Sequence, residues 1–417
     1  MSYAPDDARA SADLTARLDA LRATALKVGG AGLVATLAGL AIAPRAAFPA
    51  YLAAFLFWAG VSLASIGLCL LFQLVGGSWM VPLRRMFEAA GWQIMLMAAF
   101  FIPILIGLQS AFPWADADVL KADHLVAAKT KYLARDFFTF RAVAYFAIWS
   151  GVAYMVNAWS REQDGTADLA PTRRLGAVAG PATVVMFLTA SFGAFDWGMS
   201  RDPDWYSTIY GAMFVIGTLL TTLGLAAVFA VRHSSLEPIK SALTVGRLND
   251  LGNLLLTFTM LWAYFSFSQF LITWLGNLPE DVIWYLRRIQ GPWGAVALAL
   301  IFFGFFAPFL SLLQRKHKRD TAWVLPIATW IVVMRTIEVG WLIIPGYSKV
   351  GSEWGGFPWG SVLLYYAALL GIGGIWTALF LKRLTSAPLV PLRDPAVIAA
   401  LEHDRIHAHE PSGGTAI

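Results

Sequence analysis

Apolar residues run through this chain in blocks too long for a soluble core. A helix needs about 20 apolar residues to cross a hydrocarbon layer of about 30 Å, and within that layer every backbone polar group has to be satisfied inside the helix. Ten runs meet the requirement, near 26–43, 50–75, 90–111, 137–159, 176–197, 209–231, 251–275, 293–313, 321–344 and 360–381. The first ends in Ala41, Ile42 and Ala43, small residues of the kind a cleaved leader also carries, and is read as a retained first span. Ahead of it Leu14, Leu18 and Leu21 recur at i, i+4 and i+7 among Asp13, Arg17 and Asp19, which predicts a short amphipathic helix at the membrane surface. The expected fold class is all-α integral membrane. An amphipathic N-terminus over 1–25 leads into a ten-helix membrane domain over 26–381, and a polar tail follows over 382–417.

Composition agrees with the pattern. Of 417 residues 58% are hydrophobic and only 14% charged, against about 25% charged in soluble domains. The single cysteine, Cys69 inside an apolar run, excludes an intramolecular disulfide, a four-cysteine iron–sulfur site and a structural zinc site. The net charge of +5 does not point to nucleic acid, because the basic residues form no stripe with interleaved aromatics. They sit in short loops, where they report topology instead. One set of loops with both chain ends carries 20 Lys and Arg and the other set 9, while Arg141 and Arg335 lie inside spans. Positive charge collects on the cytoplasmic side, so both termini are expected in the cytoplasm of a bacterial inner membrane. The larger loops 112–136, 198–208, 276–292 and 345–359 then face the periplasm. Their Trp114, Asp202, Trp205, Pro279, Glu280, Trp284, Trp354 and Trp359 suit both an interfacial aromatic belt and the docking of a partner.

A weak repeat is visible. The third run ends in Gln109 and Trp114 and leads through Tyr132, Leu133, Ala134 and Arg135 into the fourth; the seventh ends in Gln269 and Trp274 and leads through Tyr285, Leu286, Arg287 and Arg288 into the eighth. Four spans separate the units, so they share one orientation and predict two four-helix bundles, about 50–197 and 209–344.

Cofactor chemistry finds little support. The six histidines, His124, His233, His317, His403, His407 and His409, all fall in loops or the tail, whereas haem b in a bundle needs axial ligands on facing helices. His403 and His407 at i, i+4 resemble a zinc-protease helix, but Asp404 stands where the catalytic Glu belongs and a solvated tail is the better reading. No metal site and no strand–turn–helix nucleotide motif is expected.

What remains is charge and polarity inside the spans, which is costly there. Gln109, Arg141, Asp196, Gln269, Arg335 and Glu338 all fall in the periplasmic half. Arg335 and Glu338 are i, i+3 on the ninth span and can pair; Arg141 either snorkels to the interface or serves a site, and Asp196 either caps a loop or takes protons. On the seventh span Asn249, Asn253, Thr257, Tyr264 and Ser268 form a polar face, read either as interhelical hydrogen bonding or as one wall of a proton path. The candidate proton path is Asp196, Arg335, Glu338, Tyr264, Ser268, Thr257 and Asn253. The candidate quinol pocket is Arg141, Gln109 and Gln269.

The stretch from Phe195 to Thr208, Phe-Asp-Trp-Gly-Met-Ser-Arg-Asp-Pro-Asp-Trp-Tyr-Ser-Thr, resembles the loop after the fifth span in the ActF-type membrane subunit of alternative complex III, a bacterial quinol:cytochrome c oxidoreductase. Trp262, Ala263, Tyr264, Phe265 with Phe267, Ser268 and Gln269, then Trp274 and Asn277 to Glu280, resembles a second signature of that subunit. Tyr132 and Leu133 followed by Phe137, Phe138 and Arg141 is similar to a pattern shared with polysulfide-reductase (NrfD-like) membrane anchors. The likeness covers about 130–345; Ala134 replaces an expected Asn and Asp281 an expected Glu. The resemblance implies two four-helix bundles flanked by single helices, with no bound redox cofactor in this subunit; quinone or quinol and lipids are the candidate ligands, with quinol oxidation falling either to this subunit or to its sister alone. It implies as partners a sister ten-helix subunit, an iron–sulfur subunit, c-type cytochrome subunits and a small membrane-anchored subunit.

Quinol oxidation needs a base and an electron acceptor within reach, and this chain can offer only the base. The sequence therefore favours proton conduction or structural coupling over independent quinol oxidation. A secondary transporter is the rival reading, but Pro103, Pro181, Pro308 and Pro326 do not fall at matching positions of the two units.

Overall fold

The computed structural model describes residues 8–122, 126–127, 129–346 and 358–408. His124, Trp354 and His409 lie outside the described residues, as do the side chains of His403 and His407. Among the described residues ten helices are long and apolar enough to cross a membrane: α1 Ala12–Ile42, α2 Pro44–Val75, α3 Arg84–Ile106, α4 Arg135–Gly165, α5 Ala170–Arg201, α6 Ile209–Arg232, α7 Val245–Gly276, α8 Pro292–Leu313, α9 Thr321–Ile343 and α10 Trp359–Leu384. The chain is an all-α multi-pass membrane protein. Successive helices alternate in direction. The ends shared by the start of α1 and the end of α10 form the basic face, and the other ends form the loop face.

The helix ends follow local chemistry. Ser11 accepts from the amide of Leu14 at 3.3 Å at the start of α1, Thr244 from Arg247 at 3.3 Å at the start of α7, and Asp320 from Ala322 at 2.9 Å at the start of α9. Pro44 and Pro292 occupy the first turns of α2 and α8, where no amide partner is lost. Helix α7 stops at Asn277, which takes the left-handed conformation (φ 46°).

Helix α2 is the axis of the fold. It packs against α3, α4 and α5 on one side, against α6 and α9 on another, and against α1 and α10 on a third. Helices α2–α5 make one four-helix group and α6–α9 a second, joined where α2 and α5 meet α6. Helices α1 and α10 pair closely because neither side has side chains in the way: a Cβ on Gly32 would lie 2.5 Å from the Gly371 amide nitrogen.

Three segments depart from the sequence-based expectation. Residues 12–42 form a single helix, so the anticipated surface helix and first span are one element, with Leu14 and Leu18 buried. Helix α3 begins at Arg84, not near residue 90, and draws Arg84, Arg85 and Glu88 into the interior. These charges are tolerated because they neutralise one another: Glu88 takes Arg84 at 3.0 Å, Arg85 at 2.6 Å and the Ser160 hydroxyl at 2.6 Å, Arg85 also pairs with Asp164, and Arg84 with Asp394. That last contact ties down the chain after α10, where Leu389, Val390 and Val397 are buried. The stretch expected as a free polar tail thus folds back under α3 as far as the helix Pro395–Ala408.

Candidate functional site

Inside the spans, among the described residues, two buried Arg–carboxylate pairs lie toward the loop face, one in each bundle. In the first, Arg141 of α4 reaches Asp196 of α5 through two hydrogen bonds, Nε to Oδ2 at 2.7 Å and Nη2 to Oδ1 at 2.9 Å. The Tyr145 hydroxyl donates to Oδ2 at 3.0 Å, and Arg141 also donates to the Tyr132 carbonyl at 2.7 Å. The guanidinium lies 3.9 Å from the Tyr132 ring centroid. Burial, then the Asp196 charge, pushes the Tyr132 phenol up to about 12. Nearby Phe101, Phe146, Trp149 and Trp197 pack ring against ring, and Asp196, 1% exposed, lines neither the cavity between α7, α8 and α9 nor the one near the basic face.

The second pair is built on α9. Arg335 and Glu338 form an i, i+3 ion pair, with both residues 5% exposed. Trp262 of α7 donates its indole N–H to Glu338 Oε1 at 2.7 Å, and Arg335 Nε reaches the Thr221 hydroxyl of α6 at 3.3 Å. The guanidinium sits against Gly217, where any side chain would collide with it. Glu338 is 17 residues beyond Thr321, about 25 Å along the helix axis from the basic face.

Here the bundles diverge, because Glu338 also lines a cavity of about 780 Å³ between α7, α8 and α9. Its walls are aromatic: Trp262, Phe270, Trp284, Tyr285, Phe305 and Trp341. Among the described residues Glu338 is its only carboxylate. Lining residues Phe267, Leu298 and Ile301 are also exposed on the outer surface of the bundle. Helix α8 is locally widened to a π-helix over Leu300–Phe306, and that segment forms the cavity wall. Such bulges are frequent at functional sites.

The loop-face segments roof this cavity. Asp202 accepts from Arg287 at 2.8 Å and Arg288 at 2.7 Å, and Asp204 from Arg287 at 2.7 Å. Trp205 stacks on Trp284 at 4.6 Å, Arg288 covers Trp284 at 3.9 Å, and Trp341 donates to the Arg288 carbonyl at 2.9 Å. Burial works against the Arg287 charge, but Asp204 and Asp202 outweigh it and raise its pKa above the ordinary value. Burial pushes the Tyr285 phenol up.

The remaining sequence candidates do not converge on this site. Asn253, Thr257 and Tyr264 are exposed on the outside of α7, Tyr264 at 64%, while Trp262 and Ser266 of the same helix turn toward the cavity. Ser268 is half-buried. Asn253 accepts from Lys318 at 2.7 Å, and the Thr257 hydroxyl bonds to the Asn253 carbonyl at 2.9 Å. The polar face of α7 therefore does not lead to Glu338: the periodicity is real, but the helix is rotated so that its aromatic side faces inward. Gln109 is exposed near the end of the third span, and Gln269 is buried at the loop face, taking the Ser207 hydroxyl at 2.5 Å and donating to Thr273 at 3.2 Å. Neither Gln joins Arg141, so the anticipated quinol pocket of Arg141, Gln109 and Gln269 is not assembled. The repeat partners also differ in setting, with Trp114 buried and Trp274 exposed.

Sequence reasoning missed the cavity, its π-helical wall, and the Arg84–Arg85–Glu88 network. The spacing of Arg84, Arg85 and Glu88 at i, i+3 and i+4 was the available signal for the network. Among the described residues no three His, Cys, Asp or Glu side chains gather as a metal-ligand set. No protein-family model matches the chain, and no curated protein matches it.

Proposed function

We propose that this chain is a membrane subunit of a quinol:cytochrome c oxidoreductase of the alternative complex III kind, and that the α7–α9 cavity receives the quinol. The observation that carries the reading is the aromatic cavity of about 780 Å³ whose lining, among the described residues, holds a single carboxylate. Ligand sites of about 300–1,000 Å³ are mostly apolar with a few placed polar groups, and a lipid-soluble ring with two hydroxyls asks for that combination. Entry is lateral, past Phe267 and Leu298, from the bilayer where the substrate is dissolved.

Glu338 is the proton acceptor in this reading. Its oxygens already receive Trp262 and Arg335, yet a carboxylate offers about four lone-pair directions, so a quinol hydroxyl can donate to it. Oxidation of quinol to quinone releases two electrons and two protons. The first proton passes to the Glu338 carboxylate, which hands it on toward the loop face before it takes the second. The electrons leave to an iron–sulfur or c-type cytochrome subunit docked on the loop face, over the Asp202–Arg287–Arg288 roof. This chain supplies the base and the pocket; the acceptor belongs to the partner. A sister ten-helix subunit and a small membrane-anchored subunit complete the assembly. The basic face is cytoplasmic and the loop face periplasmic, in a bacterial inner membrane.

The test uses the tryptophans of the site. Titrating the purified chain with a short-chain quinone is expected to quench Trp262, Trp284 and Trp341 fluorescence saturably, and Glu338→Gln to weaken that binding about tenfold, as loss of a charged hydrogen bond does. Linear quenching, unchanged in Glu338→Gln, contradicts the reading.

A further inference from the structure

A second cavity, of about 240 Å³, opens near the basic face where α1, α2, α3, α6 and α10 meet. Its walls include Trp58, Val61, Phe87, Ala226, Trp376 and Phe380. Two of the three hydroxyls that line it are bonded within their own helices: Ser65 donates to the Val61 carbonyl at 2.7 Å and Thr222 to the Thr218 carbonyl at 2.8 Å. The interior therefore offers an occupant chiefly dispersion contacts. Val61 lies 14 residues before the end of α2 at Val75, which puts the floor about 21 Å below the basic face.

The mouth has the opposite character. Arg232 and His233 line it, and Arg17 of α1 is close enough to act on His233. Both arginines are exposed and His233 is buried. The imidazole Nδ1 is 2.8 Å from the Phe229 carbonyl; a carbonyl only accepts, so Nδ1 carries the proton and Nε2 is left for another partner. Burial first, with Arg17 and Arg232 adding to it, holds His233 below its ordinary pKa against the hydrogen bond to Phe229. One cation in the last turn of α6 would merely complement the helix carbonyls. Two exposed arginines at the mouth of an apolar shaft ask for more.

We propose that this cavity holds one acyl chain of an anionic phospholipid, with the phosphate bound by Arg17 and Arg232. Size separates it from the quinol reading: ring-sized ligands occupy about 300–1,000 Å³, and 240 Å³ suits a single chain. Basic pockets between membrane helices on the more basic face are where anionic headgroups bind. The inference stands independently of the quinol site at the other face.

The full-length chain, exchanged into phosphatidylcholine nanodiscs containing phosphatidylglycerol, tests it by native mass spectrometry of the lipid retained on release. The wild type is expected to keep phosphatidylglycerol in preference to phosphatidylcholine. Arg17→Gln with Arg232→Gln, at exposed positions that leave the fold intact, is expected to reduce that preference about fivefold for each arginine, with part of the effect screened by salt. Ala226→Phe, or Thr377→Trp at a half-buried lining position should the first not fold, is expected to abolish retention of either lipid by filling the shaft. Retention of no anionic lipid by the wild type, an unchanged preference in the double variant, or a quinone in place of phospholipid overturns the proposal.

Discussion

The two bundles hold the same chemical device toward the same face and surround it differently. Asp196 receives three donors from Arg141 and Tyr145 and lines neither cavity, whereas Glu338 receives Trp262 and Arg335 and keeps a side on one. A buried charge pair is by itself weak evidence for either stability or function. What distinguishes the two is the space beside the carboxylate. The first pair reads as a fixed clamp between α4 and α5. The second is poised, because something can reach it.

If that contrast is right, the largest effect on the fold belongs to the clamp. Asp196→Ala leaves Arg141 buried without its counter-charge and is expected to cost about 3–5 kcal/mol, seen as loss of folded protein in thermal unfolding of the detergent-solubilised chain. Near-wild-type stability would show the clamp to be dispensable and dissolve the comparison. Glu338→Gln is expected to act the other way, keeping the shape and the Trp262 contact while removing the base. Quinol turnover of the assembled complex should fall about hundredfold or more, within the range a general base contributes, with assembly retained on a native gel.

A smaller effect sharpens the account of how Glu338 is held. Gly217 leaves room for the Arg335 guanidinium, so Gly217→Ala should displace it and cost about 1–3 kcal/mol, as overpacking does. A thermal melt measures this, and no shift would mean that α6 does not position the pair. The smallest expected effect is on the outside of α7. Tyr264→Phe should stay within about 0.5 kcal/mol of the wild type and leave turnover unchanged. A marked loss of turnover there would restore a proton path along that face.

Much of the architecture was legible from residue pattern alone, since ten apolar runs leave a membrane chain little choice of fold. The ends of α3 and α1 were not legible, because hydropathy treats Arg84, Arg85 and Glu88 as loop charges when they cancel one another inside. For the site, Arg141, Asp196, Arg335 and Glu338 stand out in sequence because charge is rare in spans, but which of them pair across helices depends on rotation about the helix axis. The face of α7 shows the difficulty most clearly. Asn253, Thr257 and Tyr264 share a side by spacing, yet spacing does not say whether that side turns inward. The cavity is invisible to any one-dimensional reading, since its walls come from three helices and from the π-helical stretch of α8.

The central claim, that the carboxylate beside the cavity meets a quinol and the clamped one does not, is tested most directly by photo-crosslinking an azidoquinone to the chain and mapping the labelled peptides. Labelling should fall within 245–276, 292–313 and 321–343, and be competed by unlabelled quinone. Competed labelling confined to 135–165 and 170–201, around Arg141 and Asp196, would contradict the account.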